Sequence, residues 1–212
     1  MAGALITIEG LDGAGKSTLA QGLARELGAR GTDVELLREP GGVEASERIR
    51  ELVQDPGLEV RPRAEALLYA AARAQLVEEL LRPLLQRGGV VLLDRFVDSS
   101  LAYQGGARGL GVEQVAEINA FATGGLRPDL TLLLRVDPRV GRSRQQGRSG
   151  DPDRLEREAE DFFERVAEAY EQIAGAEPER VRVIDAAGSP EQVLAQALAA
   201  VTDMLGDTSP AA

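Results

Sequence analysis

Short apolar runs rich in β-branched residues recur along the chain and alternate with longer segments of helical spacing. Each run is bounded by turn or charged residues, as is typical of strands buried on both faces. The strands predicted in this way are Ala4–Glu9, Val34–Leu37, Val90–Asp94, Leu130–Val136 and Val181–Asp185. Because strands that alternate with helices form βαβ units, the pattern predicts an α/β fold with a five-stranded parallel sheet flanked by helices.

Three helical segments have the clearest patterns. The stretch Leu76–Leu85 carries a broad leucine stripe at period four, which suits either the subunit's own core or a partner surface. The segment Leu155–Ala174 places aromatic and apolar residues on one side. The segment Ser189–Leu205 begins Ser-Pro-Glu, which predicts its serine as the N-cap and its proline at the first helical position.

The composition excludes several kinds of chemistry. The 212 residues include no Cys and no His, so a disulfide, a thiol nucleophile, a Ser-His-Asp triad and a Cys or His metal site are all ruled out. The length suits one domain, predicted over residues 1–206 with a flexible tail at 207–212. No stretch reaches the roughly 20 apolar residues of a membrane span, and the N-terminus lacks a signal-peptide pattern. We therefore expect a cytoplasmic protein with no membrane partner.

The charge narrows the partners further. The chain has 35 acidic and 24 basic side chains, a net charge of −11. Such a chain lacks the electrostatic field that non-specific nucleic-acid binding needs, so we expect no nucleic-acid partner. If the protein handles phosphates, it must hold them with a local cluster of donors.

A phosphate-binding loop is the strongest motif. Residues 10–17 match G-x-x-x-x-G-K-[ST] in full, follow a predicted strand and precede the helical stretch Thr18–Arg30. Its glycines let backbone N–H groups turn inward around an anion at the positive end of a helix. Lys16, the only lysine, is expected to reach the β- and γ-phosphates, and the Ser17 hydroxyl to ligate Mg²⁺. The predicted ATP-binding residues of this segment are Gly10, Leu11, Asp12, Gly13, Ala14, Gly15, Lys16, Ser17 and Thr18.

Two carboxylates stand out beside this loop. Phosphates would repel Asp12 within it, so we expect that side chain to face a metal, a sugar hydroxyl or solvent. The strand Val90–Asp94 ends in an acidic residue, as strands that lead to Mg²⁺ sites do, so Asp94 joins Ser17 as a predicted metal ligand. A solvated loop carboxylate and a common strand ending are the alternative interpretations.

The class of phosphate-loop protein follows by elimination. A GTPase needs an Asn-Lys-x-Asp motif, and the one lysine already lies in the loop, so a small ATP-using phosphotransferase is indicated. Arginines cluster in and around a polar, Gly-rich stretch at 141–153, where we expect a short mobile lid that neutralises charge during phosphoryl transfer. A solvated helix face is the alternative. The arginines are Arg135, Arg139, Arg142, Arg144, Arg148, Arg154 and Arg157.

Further motifs resemble those of bacterial thymidylate kinases over nearly the full length. The matching segments are residues 8–18, the Arg-Glu-Pro-Gly-Gly run at 38–42, residues 71–76, the Asp-Arg-Phe run at 94–96, residues 99–106 and the Arg-Pro-Asp-Leu run at 127–130. The resemblance implies a phosphate-loop kinase fold, transfer of the ATP γ-phosphate to dTMP with Mg²⁺ as cofactor, and a homodimer.

Carried over to this sequence, the resemblance also implies roles for individual residues. Asp12 is expected to meet the sugar 3′-hydroxyl of dTMP or its metal, while Arg38 and Arg95 hold the dTMP phosphate. Ser100 and Gln104 are expected to line the base pocket.

Two tyrosines and an arginine complete the acceptor site that the resemblance implies. Tyr69 lies four residues before Arg73, so both share a helix face. The tyrosine is expected to stack on thymine and the arginine to bond its O4. Tyr103 is expected to crowd a ribose 2′-hydroxyl. Ordinary core tyrosines are the alternative interpretation.

The lid arginines complete the predicted catalytic set. Some family members carry a basic residue inside the phosphate loop, whereas this chain has Gly13 and Ala14 there. The resemblance therefore implies that a lid arginine supplies the charge: Arg148 first, then Arg144 and Arg142. Arg148 joins Lys16, Asp12 and Arg95 as a predicted catalytic residue, and Arg144 is a further predicted ATP contact. A kinase for another nucleotide or for a deoxynucleoside, and a regulatory phosphate-loop ATPase, remain the alternative functions.

Overall fold

The computed structural model describes residues 3–146 and 153–206. Its five parallel strands form one sheet in the order β2-β3-β1-β4-β5. They are β1 (Ala4–Gly10), β2 (Val34–Arg38), β3 (Val90–Asp94), β4 (Leu130–Arg135) and β5 (Val181–Asp185). Every predicted strand is present with its ends shifted by at most one residue, so the predicted α/β architecture is confirmed.

Helices connect the strands. They are α1 (Lys16–Ala29), α2 (Glu44–Gln54), α3 (Pro62–Leu76), α4 (Arg82–Gln86), α5 (Val97–Ser100), α6 (Val112–Thr123), α7 (Pro138–Gln146), α8 (Glu160–Ala176) and α9 (Pro190–Leu205). A π-helical segment, Val77–Leu81, joins α3 to α4, and a second, Leu101–Ala107, continues α5. In the described residues, no helix is long and apolar enough to cross a membrane.

Alternate strand residues face two helical layers. Side chains such as Ile6, Leu92 and Leu132 pack against α1 and α9, and their neighbours Leu5 and Val91 pack on the opposite face. Parallel strands buried on both faces need this two-sided cover, which explains their nearly continuous apolar sequence.

The leucine stripe of Leu76–Leu85 lies on that second face. Leu76, Val77 and Leu81 are fully buried against strand residues of the same subunit. The stripe therefore belongs to the core of the subunit itself.

The carboxyl ends of the strands converge at one edge of the sheet. Asp94 at the end of β3 pairs with Ile8 in β1 and with Arg38 in β2. Because β3 lies between β1 and β2, the segments that follow these three strands are neighbours. α/β sheets bind their ligands at this edge. Here it brings together the phosphate loop after β1 and the segments after β2 and β3.

The long helix predicted from Leu155 begins five residues later, at Glu160. Asp153 and Glu156 explain the difference, because each accepts the backbone N–H of the other at 2.9 Å and closes a separate turn. The N-terminus of α9 is as predicted: Ser189 forms a reciprocal capping box with Gln192, and a proline opens the helix.

The predicted lid is covered only in part. Residues 141–146 belong to α7, and Asp153 precedes the turn described above. Residues 147–152, and the predicted tail at 207–212, lie outside the described residues.

Candidate active site

An open cleft occupies the carboxyl edge of the sheet. It brings together side chains that sequence analysis assigned to the phosphate loop, to the metal site and to the acceptor pocket. Those that line it are Asp12, Gly13, Gly15, Lys16, Ser17, Arg38, Tyr69, Arg73, Asp94, Arg95, Ser100, Tyr103 and Gln104. One cavity therefore contains both halves of the predicted site.

The phosphate loop depends on glycine backbone conformations. Gly10, Gly13 and Gly15 have φ values of 134°, 80° and 98°, which side-chain-bearing residues rarely adopt. Helix α1 begins directly afterwards, and the buried Lys16 donates from Nζ to the carbonyl oxygens of Gly10 at 3.1 Å and Leu11 at 2.9 Å. The loop thus presents a helix N-terminus and one ammonium group to the cleft, a suitable arrangement for an anion.

A close backbone approach limits what the loop can contain. A Cβ atom at Gly13 would lie 2.0 Å from the carbonyl oxygen of Gly141 in α7. Position 13 therefore has no room for a side chain unless the loop or α7 shifts.

Asp12 is held by cations. Arg95 donates from a terminal guanidinium nitrogen to Oδ1 at 2.6 Å, and the Lys16 ammonium lies 3.6 Å from the same oxygen. Burial alone would raise the pKa of Asp12, but these two cations outweigh it and hold the pKa well below its usual range. The sequence predicts a metal, a sugar hydroxyl or solvent beside this carboxylate. The spacing along the chain could not show that the arginine after β3 reaches across to the loop after β1.

Arg95 has a strained backbone, with a φ of 72°. Its side chain also donates to Ser99 Oγ at 3.0 Å and Tyr103 Oη at 3.3 Å, and its guanidinium carbon lies 5.1 Å from the centre of the Tyr103 ring. These contacts fix the guanidinium beside Asp12, between the phosphate loop and the part of the cleft wall that Ser99 and Tyr103 form.

Sequence analysis missed Glu9, a fully buried carboxylate behind Arg95. It accepts the backbone N–H of Phe96 at 2.7 Å and the hydroxyls of Ser99 at 2.5 Å and Tyr170 at 2.9 Å. These bonds hold the residues that follow the strained position. Burial, and then the charge of Asp98, raise the pKa of Glu9 to about 7, against the opposing effect of the Ser99 hydrogen bond. The only sequence signal was an acidic residue at the end of an otherwise apolar strand.

Ser17 and Asp94 lie together as predicted for a metal site. The Ser17 hydroxyl donates to Asp94 Oδ2 at 3.1 Å, at the mouth of the phosphate loop. The described residues contain no cluster of three or more potential acidic, Cys or His ligands. Mg²⁺ usually keeps several waters and takes one or two protein oxygens together with substrate phosphates, so this oxygen pair fits it.

The far wall of the cleft is built around Arg73, which is 1% exposed. It donates to Glu39 Oε2 at 2.8 Å, Ser100 Oγ at 2.9 Å, the Phe96 carbonyl oxygen at 2.8 Å and the Asn119 side-chain oxygen. The other Glu39 oxygen is buried without a partner. A hydrogen bond from Arg73 to a ligand would therefore have to share or replace one of these contacts.

Tyr103 belongs both to the core and to the cleft. Its ring packs edge-on against Phe162 and Tyr170 in the core, while its hydroxyl faces Asp12 at 3.4 Å inside the cleft. Tyr69 lines the same cleft from α3.

The cleft gathers five cationic side chains beside five acidic ones, which are Asp12, Glu39, Asp94, Asp153 and Glu156. Lys16, Arg38, Arg73 and Arg95 line it, and so does Arg50, which sequence analysis missed because nothing in its local sequence marks it. The guanidinium of Arg50 donates to the Pro40 carbonyl oxygen at 3.0 Å. This is the local cluster of donors that phosphate binding in so acidic a chain requires.

Other predicted residues lie away from the cleft surface. Arg144 donates to the Ala186 carbonyl oxygen at 3.3 Å, Arg142 donates to the Glu158 carbonyl oxygen at 3.1 Å, and neither lines the cleft. Arg148 lies outside the described residues. The loop and first-turn residues that do not line the cleft are Gly10, Leu11, Ala14 and Thr18.

Comparison with known proteins identifies the relatives of this chain. The family model described as "Thymidylate kinase" matches residues 8–197. A thymidylate kinase from Lactobacillus delbrueckii subsp. bulgaricus is 49% identical over 198 residues, which are 92% of this chain and 93% of that protein. One from Deinococcus radiodurans is 48% identical, over 95% of this chain and 97% of that protein. The chain belongs to the thymidylate kinase family.

A solved structure supports the same assignment. The crystal structure of the thymidylate kinase from Ehrlichia chaffeensis superposes with a TM-score of 0.75 at 28% identity, covering 95% of this chain and 99% of that one. A kinase of this family has to bring two anionic phosphate groups together, which accounts for the concentration of guanidinium groups in the cleft.

We predict that Glu9 makes the stability of this kinase depend on pH. In the folded state its pKa is about 7, above the ordinary value of 4.5, so the folded state binds more protons between these pH values. The contribution of Glu9 to stability is therefore present at low pH and is lost as the pH rises towards 7. Glu9→Gln removes this titration, so its free energy of unfolding should rise relative to wild type by a few kcal/mol between about pH 4.5 and 7.

Urea denaturation at several pH values measures this difference. Glu164→Gln, at an exposed position of α8, is the matched control, and its difference from wild type should stay constant. A constant difference for Glu9→Gln as well would show that the carboxyl group does not titrate in this range.

Proposed function

We propose that this protein transfers the γ-phosphate of ATP to dTMP, giving dTDP and ADP, with Mg²⁺ as cofactor. The observation that carries the proposal is the position of Asp12 between Lys16 of the phosphate loop and Arg95 of the acceptor side, within a single cleft. A donor phosphate and an acceptor phosphate bound by those two cations would be neighbours.

On the donor side, the backbone of residues 10–18 and the Lys16 ammonium bind the ATP phosphates. Ser17 and Asp94 hold Mg²⁺, which neutralises charge on those phosphates when bound. Support comes from the left-handed glycines, the helix N-terminus and the 3.1 Å contact between the two metal-site side chains.

On the acceptor side, Arg38 and Arg95 bind the dTMP phosphate. Tyr69 stacks on thymine, and Ser100 and Gln104 line the base pocket. A second set positions the rest of the nucleotide: Arg73 at the base O4, Tyr103 beside the deoxyribose C2′ and Asp12 near the 3′-hydroxyl.

The reaction needs no general base from the protein. The attacking oxygen belongs to a phosphate that is already ionised, so the protein's task is to align the two phosphates and to neutralise their charge. Arg95 and Lys16 neutralise this charge from either side of Asp12. The negative charge of Asp12 offsets the repulsion between the two cations. Arg148 is our first candidate for the arginine that contacts the transferring group, and Arg144 for a further ATP contact.

We predict that ADP production from Mg·ATP will be at least about tenfold faster with dTMP than with dUMP, UMP, dCMP, AMP or dGMP. Chelation of Mg²⁺ should abolish ADP production, because no metal ion then neutralises the charge of the ATP phosphates. A coupled assay with each acceptor supplied separately measures both effects. Equal rates with several acceptors would favour a kinase of other specificity, and ATP hydrolysis that ignores every acceptor would favour a regulatory ATPase.

We predict that Arg95→Lys will lower kcat/KM for dTMP by about 100-fold or more. The lysine ammonium cannot reproduce the paired N–H donors of the guanidinium beside the phosphates. The KM for ATP should change little. Steady-state kinetics with each substrate varied measures the two effects. The control is Arg127→Lys, an exposed position before β4 at the opposite edge of the sheet, which should behave as wild type. Equal effects of the two variants would contradict the role of Arg95.

We also propose a homodimer that uses α3 and α6. These helices pack against each other and carry Leu67, which is 57% exposed, and Phe121, which is 91% exposed. Large apolar side chains exposed on neighbouring helices are one mark of a protein–protein interface. The proposal also rests on the family resemblance.

We predict that Phe121→Asp will shift the protein from dimer to monomer in size-exclusion chromatography with light scattering, because it puts a charge into an apolar interface. Leu58→Asp, at an apolar position outside these helices that is 45% exposed, should leave the molar mass unchanged. A wild-type protein that is monomeric at high micromolar concentration would refute the dimer.

A further inference from the structure

Glu65 is a fully buried carboxylate that the proposed mechanism does not use. It lies in the first turn of α3, and its side chain is 0% exposed. Arg108 donates to both of its oxygens, from Nε to Oε1 at 3.2 Å and from a terminal nitrogen to Oε2 at 3.1 Å. Arg154 forms an ion pair with Oε2 at 2.7 Å. Two guanidinium groups thus hold the carboxylate in one place.

The remaining partner of Glu65 is a residue of the cleft wall. Gln104 donates from its side-chain Nε2 to Glu65 Oε1 at 2.9 Å. A carboxylate can only accept hydrogen bonds, so the NH₂ group of this amide has to face Glu65. The carbonyl oxygen of the same amide then faces away from Glu65. Because Gln104 lines the cleft, the wall presents an acceptor whose orientation is fixed from behind.

The orientation of this amide matters for the choice of base. Thymine and uracil carry a hydrogen on N3, next to the 4-oxo group, and this N–H donates to an amide oxygen. Cytosine has a lone pair at N3, which an amide oxygen repels and an amide NH₂ attracts. A buried polar mismatch of this kind is a strong means of rejecting a ligand, because it leaves a desolvated group unpaired.

We propose that Glu65 is a specificity-determining positioning residue, which orients the Gln104 amide so that the cleft selects 4-oxo pyrimidine nucleotides over cytidine nucleotides. The inference rests on the proposed function, since it assumes that the base of the acceptor lies against Gln104. Glu65 itself does not touch the substrate.

The variant Glu65→Gln is expected to reverse the neighbouring amide. The oxygen of the new side chain is expected at the Oε2 position, where Arg108 and Arg154 both donate. Its NH₂ group then takes the Oε1 position, where the Arg108 Nε–H loses its acceptor and Gln104 faces a donor. Gln104 then has to turn its own oxygen towards this NH₂ group and its NH₂ towards the cleft. The donor that results suits N3 of cytosine and opposes N3–H of thymine.

The experiment compares kcat/KM for dTMP, dUMP and dCMP in wild type and Glu65→Gln, with Mg·ATP as donor. The ratio of dTMP to dCMP should fall at least about tenfold in the variant, through the KM of the acceptor, while the KM for ATP stays near wild type. The ratio of dTMP to dUMP should not change, because both bases carry the same N3–H. General damage to the site would not separate the two ratios in this way.

Arg108→Met is the matched control. It removes one neighbour of Glu65 and keeps the bond from the carboxylate to Gln104, so it should keep the wild-type ratio of dTMP to dCMP. If Glu65→Gln does not fold because two buried cations share one acceptor, the double variant Glu65→Gln with Arg108→Met leaves only Arg154 and carries the same expectation.

The outcomes separate this inference from the proposed function. A folded Glu65→Gln protein, single or double variant, that keeps the wild-type preference for dTMP over dCMP would overturn the role of Glu65 and leave the proposed function standing. A wild-type protein that does not prefer dTMP over dCMP would overturn both.

Discussion

The contact between Arg95 and Asp12 is the interaction on which the site depends. It joins the segment after β3 to the phosphate loop after β1, over 2.6 Å, and it neutralises a carboxylate that would otherwise repel phosphates. It is possible because β1 and β3 are neighbours in the sheet and because Arg95 adopts a left-handed backbone conformation. Without this pair, the phosphate loop would hold a negative charge at the point where two anionic groups have to meet.

Buried acids behind the cleft give its donors and acceptors fixed directions. Glu9 holds the backbone beyond Arg95, Glu39 holds Arg73, and Glu65 holds Gln104. Burial of each of these carboxylates costs free energy, and the hydrogen bonds that it accepts offset that cost. An excess of acidic residues in the chain is thus compatible with a cluster of cationic donors in the cleft, because several of the acids orient the groups that line it.

The helices that form the far wall of the cleft are continuous with π-helical segments. Tyr69 and Arg73 lie in α3, just before the segment Val77–Leu81, and Gln104 lies inside the segment Leu101–Ala107. A π-helical turn changes the angular spacing of side chains, and such turns occur frequently at functional sites. Here they continue the two helices that form the far wall of the cleft. The period-four leucine stripe gave no sign of this change, because apolar spacing reports only which face is buried.

The sequence by itself determined the five strands, their parallel arrangement, the phosphate loop and the family. The strands and the loop follow from local spacing, since strand burial, glycine conformations and helix caps depend on residues close together in the chain, whereas the family follows from the resemblance of several motifs. Only the tertiary structure decided the partners of Asp12, the cleft position of Arg50, the contacts of Arg73 and the roles of Glu9 and Glu65. Those contacts join residues that are far apart in the chain, such as Glu9 with Tyr170 or Glu65 with Arg108. The physical reason is that the direction of a buried polar side chain is set by whichever groups folding brings beside it, and no local pattern of residues encodes them.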